Sequence, residues 1–206
     1  MRAWGFGPAA WLGWAALFGD LGAEPIETVT HVTGEWALRF LLVALAVTPA
    51  RRLSGWSWLA PLRRSFGLFA FLYASLHLAT YVALDHFFDW PTLLEDVLER
   101  PFVTVGFAAF LLLVPLAATS NRAAKRRLGR RWAQLHRLAY AAAALGVVHY
   151  AWGVKADLRG PLVAGAVLAL LLGLRLWWWR RRRAGARSRA AGPAQAQATA
   201  ISRGPR

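Results

Sequence analysis

The stretch GRRWAQLHRLAYAAAALGVVHYAWGVK, Gly129–Lys155, decides how the chain folds. It begins with basic residues, ends with aromatic residues, and is apolar in between over a length that can cross a bilayer. Two histidines, His136 and His149, lie within it. Ionisable side chains are costly inside a membrane, and a neutral imidazole is a common ligand of metals, haem iron included. The stretch therefore predicts a membrane span that carries a functional site.

Composition also places the protein in a membrane. Of its 206 residues 57% are hydrophobic, and the absence of cysteine excludes disulfides, iron–sulfur clusters and thiolate chemistry. A net charge of +15 would indicate nucleic-acid binding in a soluble protein. Here, however, the basic residues concentrate in 51–64, 122–131 and 180–189, while the acidic residues fall in or beside the alternate connections. This is the positive-inside pattern of a protein with several spans.

These patterns predict an all-α integral membrane protein, a six-span helical bundle with both termini in the cytoplasm. A short amphipathic helix is expected at 91–99, in an outer connection, and no internal repeat is apparent. Residues 1–183 are predicted to form the membrane domain, and the basic tail 184–206 is predicted to be a disordered cytoplasmic segment. The spans are predicted at about 1–19, 36–49, 66–84, from Pro101, within 129–155 and from Pro161.

The depth of the histidines decides which of them can meet. His77 lies about 11 residues from the inner end of the third span, or roughly 16 Å at the rise of an α-helix. His149 lies about 17 residues from the inner end of the fifth span, or roughly 25 Å. Both positions are in the outer half of the membrane, and helix tilt can remove the remaining difference. We therefore expect the two side chains to face each other and to clamp one haem iron between helices of the bundle.

A second site is only half supported by His136. It lies roughly 20 Å from His149 along the helix axis, a separation that suits two stacked cofactors. The matching position on the third span, however, holds Arg63 and Arg64. At a spacing of 13 residues, His136 and His149 also point about 140° apart around an ideal helix. A kink or bulge is needed for both to point toward the same neighbouring helix.

A group of basic residues marks the predicted inner mouth of the bundle. Arginine forks match carboxylates and phosphates, so the group could hold haem propionates or a flavin phosphate. For each single arginine, ordinary positive-inside charge is the better interpretation. The group consists of Arg63, Arg64, Arg130 and Arg131, together with His136.

The histidines could also serve two roles that need no haem. They could hydrogen-bond neighbouring helices, as polar residues in membranes do, or form a proton relay in a transporter. His86 is expected to be solvated in an outer loop, and His31 is expected at the membrane interface.

Five segments of the chain, 21–49, 63–81, 100–106, 128–140 and 149–155, resemble one known family. It is the MsrQ/YedZ family, the haem-binding membrane subunits of the periplasmic methionine sulfoxide reductase system. The LG-x-RW-x-x-LH and HY-x-W-x-x-K blocks are the most specific parts of the resemblance, which covers about residues 20–179.

The resemblance implies a ferric-reductase-like transmembrane fold in the bacterial inner membrane, with haem b ligated through His77, His136 and His149, and an FMN. It also implies a periplasmic molybdopterin partner that reduces methionine sulfoxide in proteins. Electrons would come from the quinone pool or from a cytosolic flavin reductase, and this chain would be the electron-transfer subunit. A stand-alone ferric or cupric reductase is the redox alternative. The sequence contains no G-x-G-x-x-G, which disfavours direct oxidation of NAD(P)H.

Overall fold

A computed structural model describes residues 3–19, 21–154 and 157–202, with side chains for 5–19, 21–154 and 157–184. Within these ranges all regular elements are helical, which confirms the all-α class. Two compact units are formed, Met1–Leu168 and Ala169–Arg206. The helices are α1 Gly7–Phe18, α2 Pro25–Ser54, α3 Leu62–Thr80, α4 Trp90–Glu99, α5 Pro101–Ala118, α6 Arg122–Leu128, α7 Arg130–Leu135, α8 Leu138–Gly153 and α9 Arg159–Ser202.

Four of the described helical segments are long and apolar enough to cross a membrane. They are Pro25–Ser54, Ser57–Asp85, Pro101–Ala118 and Arg159–Ala184. The first and fifth predicted spans form the shorter helices α1, of 12 residues, and α8, of 16 residues. The integral membrane fold is therefore confirmed, whereas the count of six spans and the side of each terminus stay predictions.

Helix α2 is longer at both ends than the predicted span. Pro25 stands in its first turn, where a backbone N–H has no helical partner to lose, so the end of the predicted outer loop is helical. At the other end α2 continues through Pro49, because freed backbone groups in membrane helices find other partners. It ends at Gly55, whose φ of +75° is a left-handed conformation that favours glycine.

Two further predictions about helices are confirmed. Helix α3 ends in a π-helical turn, Tyr81–Asp85, and α4 then forms the expected short amphipathic helix. Helix α5 begins at Pro101 as predicted and contains Pro115 near its end.

Two helical hairpins position the site. Helix α2 packs along α3, and α5 packs along α8. Ala70 of α3 and Ala142 of α8 are almost completely buried, and such small residues allow helices to approach closely. The ring of Phe40 on α2 lies 5.3 Å from that of Tyr73 on α3, which fills the space between these two helices.

The second unit consists of the later part of α9. The guanidinium groups of Arg181 and Arg183 lie 4.0 and 3.9 Å from the rings of Trp177 and Trp179, an arrangement typical of membrane-interface anchors. Helix α9 continues to Ser202. The domain boundary at residue 183 and the disorder of 184–206 stay predictions.

Candidate functional site

The structure brings together the two histidines that their depth predicts to meet. The ring of His77 on α3 and that of His149 on α8 lie with their centres 6.0 Å apart and their planes at 74°. Since the two residues are far apart in sequence, the packing of the hairpins creates the pair.

Each of these histidines is oriented by a backbone carbonyl group. The Nδ1–H of His77 donates to the oxygen of Thr30 on α2 at 2.9 Å, and the Nδ1–H of His149 donates to the oxygen of Phe102 on α5 at 2.7 Å. We assign the proton to Nδ1 because a carbonyl oxygen can only accept. In a neutral imidazole the lone pair then lies on Nε2, which is the usual preparation of a histidine for binding metal.

A glycine makes room for each ring. A Cβ at Gly34 would lie 3.0 Å from Nδ1 of His77, and one at Gly106 would lie 2.6 Å from Nδ1 of His149. A larger residue at Gly106 would therefore displace the imidazole of His149, and one at Gly34 would press tightly on that of His77. Sequence reasoning did not identify either glycine.

The two half-sites repeat each other, although no repeat is apparent in the sequence. His77 lies 47 residues after Thr30, and His149 lies 47 residues after Phe102. In both halves the glycine follows the carbonyl residue by one helical turn. A carbonyl group is common to all residues, so only the glycine and the histidine have to recur, and they recur at equal spacing. This equal separation of glycine and histidine is the signal in the sequence from which the two glycines could have been found.

The separation of the two histidine ring centres equals that expected for two imidazoles on one haem iron. Two opposed metal–imidazole bonds of about 2 Å, with each ring centre about 1 Å further out, place the ring centres roughly 6 Å apart. Among the described residues no group of three or more His, Cys, Asp or Glu side chains could hold a metal ion. Two neutral nitrogen ligands suit a metal that brings its remaining ligands with it, as iron in porphyrin does.

A polar link missed by sequence reasoning lies beside the pair. Tyr150, the residue after His149, donates from its hydroxyl group to Glu35 of α2 at 3.0 Å. The other oxygen of Glu35 pairs with Arg39, one turn along α2. The hydroxyl of Tyr150 also lies against Gly160 of α9, where a Cβ would collide with it. Polar side chains within a membrane helix need such partners.

His136 belongs to a different group of contacts. It lies in the break between two helices, since α7 ends at Leu135 and α8 begins at Leu138. Nε2 of His136 lies 3.1 Å from the hydroxyl of Thr119, and its ring stacks on that of Trp132 at 4.0 Å. Since the Thr119 hydroxyl donates to the carbonyl of Pro115, it accepts from His136, which places that proton on Nε2. His136 therefore has the opposite tautomer from His77. Ligation of haem by His136 stays a prediction.

The predicted basic group is brought together only in part. Arg64 donates from Nε to the carbonyl of Ser120, the neighbour of Thr119, and Arg63 is close enough to act electrostatically on His136. Arg130 and Arg131 are exposed in the first turn of α7. Cofactor binding by these four arginines stays a prediction.

The remaining two histidines lie outside the pair. The expectation of a solvated His86 is wrong: its side chain is only 13% exposed, and Nε2 lies 3.3 Å from the carboxylate of Asp96, itself buried. His31 is exposed and lies 3.4 Å from Glu27, one turn away on α2.

Comparison with known proteins gives one consistent result. Residues 33–147 match the family described as ferric reductase like transmembrane component. The protein-methionine-sulfoxide reductase heme-binding subunit MsrQ of Rhodospirillum rubrum is 55% identical over 170 residues, which cover 82% of each chain. The chain belongs to the MsrQ family. Its MsrQ relative from Herminiimonas arsenicoxydans is 53% identical over 77% of this chain and 74% of that one. The MsrQ protein of Caulobacter vibrioides is 50% identical over 84% and 82%.

No solved structure matches the chain. Membership in the MsrQ family confirms the resemblance of the sequence blocks. Together with the long apolar helices, it makes the chain a multi-pass protein of the bacterial inner membrane.

Proposed function

We propose that this protein carries electrons across the membrane through haem b held between His77 and His149. One observation carries the proposal: the ring centres lie 6.0 Å apart, and each ring donates its Nδ1–H to a backbone carbonyl, which leaves the lone pair of each Nε2 as a candidate ligand of iron. The iron of the bound haem would take up and release one electron at a time. Two histidine ligands leave no open position on it, which favours electron transfer over oxygen chemistry.

The other parts of the path are proposed from the family. Electrons would enter at the inner face from the quinone pool or from a cytosolic flavin reductase. Arg63, Arg64, Arg130 and Arg131 would hold the phosphate of an FMN or the haem propionates there, because guanidinium groups bind such oxyanions. His136 would be the candidate ligand of a second haem.

The proposed acceptor is a periplasmic, molybdopterin-containing methionine sulfoxide reductase that repairs oxidised proteins. The MsrQ relatives are named as heme-binding subunits of a protein-methionine-sulfoxide reductase, which supports a partner of this kind. Exposed acidic residues of the proposed outer connection, such as Asp89 and Glu95, would favour a partner with a basic patch.

The test is a reduced-minus-oxidised spectrum of the protein purified in detergent, with haem quantified as the pyridine haemochrome. We expect a low-spin b-type signal that both His77→Ala and His149→Ala abolish. Reduced protein should then be reoxidised by the periplasmic reductase with methionine sulfoxide, but not by ferric or cupric chelates alone. Reoxidation by chelates without the partner would favour a metal reductase, and a colourless wild type would favour a proton relay.

A further inference from the structure

Helix α4 is turned the opposite way from an amphipathic helix of a soluble protein. Asp96 is only 7% exposed, whereas Leu94 and Leu98 are 60% and 82% exposed. Trp90, also exposed, continues the two leucines as one stripe, since residues four apart share a side of a helix. Helices on water-soluble cores bury such a stripe and expose their charges.

Hydrogen bonds, rather than burial of leucine, fix this orientation. Asp96 accepts from the hydroxyl of Tyr81 at 2.9 Å and from Nε of Arg100 at 3.0 Å. His86 lies against the same carboxylate. Tyr81 belongs to the end of the long apolar segment Ser57–Asp85, so the carboxylate ties the inward side of α4 to a membrane-spanning helix.

The connection before α4 extends the apolar surface. Phe87 and Phe88 have φ values of +46° and +63°, a left-handed conformation that bulky residues rarely adopt. Their side chains are nonetheless largely exposed. A strained backbone that exposes two aromatic rings indicates an apolar surrounding, which stabilises the rings and offsets the strain.

The position of α4 identifies that surrounding. One apolar segment ends at Asp85 and the next begins at Pro101, so α4 cannot rise far from the edge of the bilayer. Glu95 and Glu99, also exposed, follow the leucines by one residue and lie about 100° further round the helix. The helix therefore has an apolar exposed side, an acidic exposed side and a side held by the protein.

We propose that α4 lies flat in the outer lipid interface, with Phe87, Phe88 and the stripe Trp90, Leu94 and Leu98 inserted into the leaflet. Aromatic and leucine side chains prefer the boundary between headgroups and acyl chains, while the glutamates remain in water. In this proposal lipid covers the stripe. The competing explanation is that a docked protein covers it.

The absence of cysteine from the chain allows a direct test. Single variants Leu94→Cys and Leu98→Cys carry a nitroxide label on the proposed lipid side, and Glu95→Cys and Glu99→Cys are matched controls one residue away. In lipid nanodiscs, collisions with oxygen, which partitions into lipid, are compared with collisions with a water-soluble nickel chelate. We expect the oxygen-to-nickel accessibility ratio to be at least several-fold higher for the leucine positions than for the glutamate positions.

Equal ratios at all four positions would overturn the proposal. So would leucine labels that are open to the nickel chelate and become protected only when the periplasmic partner is added. A second variant tests the role of Asp96 in orientation: Asp96→Ala combined with Leu98→Cys should reduce the difference between the two sides. A label that remains in lipid without the Asp96 carboxylate would show that the carboxylate does not set the orientation.

Discussion

Tyr150 donates a hydrogen bond of 3.0 Å to Glu35. The donor directly follows His149, and the acceptor directly follows Gly34, which makes room for His77. The bond therefore joins α8 to α2, and so one hairpin to the other, beside both facing histidines.

Replacing Tyr150 with phenylalanine removes this donor and keeps the ring. We expect a loss of about 1 kcal/mol in stability, the usual worth of one hydrogen bond, and faster loss of haem. The measurement is the rate of haem transfer to an excess of a soluble apo-haem protein, with thermal unfolding in detergent alongside. Glu35→Gln retains an acceptor for Tyr150 but removes the charge that pairs with Arg39, so it should lose haem more slowly than Tyr150→Phe. An unchanged rate in Tyr150→Phe would show that the link does not support the pair.

Alanine at Gly34 or Gly106 should push an imidazole out of place. Overpacking costs about 1–3 kcal/mol, which exceeds the gain of about 1 kcal/mol from alanine in a helix. The effect should be larger at Gly106, where the added Cβ would lie 2.6 Å from the ring, than at Gly34, where it would lie 3.0 Å away. Haem content per protein measures both.

Gly67→Ala is the matched control for these variants. Gly67 lies on α3, ten residues before His77, and a Cβ there would meet no atom within 4 Å. This variant should keep full haem content and gain stability from the better helix former. Full haem content in Gly106→Ala would contradict the close approach seen in the structure.

Alanine at His136 tests whether the contacts around His136 are independent of the His77 and His149 pair. Nε2 of His136 contacts Thr119 and its ring contacts Trp132, so its loss should leave the low-spin signal of the His77 and His149 pair intact. Pyridine haemochrome quantification of wild type and variant measures any second haem as the difference. If the whole signal disappears in a folded variant, the claim that His77 and His149 bind haem independently of His136 is wrong.

Labelling from the two sides of the membrane tests the span count. In spheroplasts, a membrane-impermeant maleimide should modify Glu95→Cys in the outer connection, and Arg122→Cys only after permeabilisation. Tags at both termini should be protected from external protease if there are six spans. Cleavage of an N-terminal tag from outside would show that α1 does not cross the membrane.

The sequence was most informative about residues whose presence in a membrane span costs much free energy. Histidine in an apolar run is expensive, so His77 and His149 could be singled out, and their depth predicted that they meet. Thr30 and Phe102 could not be found in this way, because each contributes only a carbonyl group that any residue carries. His86 was misjudged because its burial depends on Asp96, whose inward orientation only the packing of α4 reveals.

Both imidazoles of the pair are held in advance, by a carbonyl group at Nδ1 and by a glycine backbone beside the ring. Side chains fixed in this way do not need to swing when the charge between them changes. In terms of electron-transfer rates, a pair held in this way would add little reorganisation energy if it ligates haem as proposed. An electron could then arrive and leave without waiting for the protein to rearrange around it.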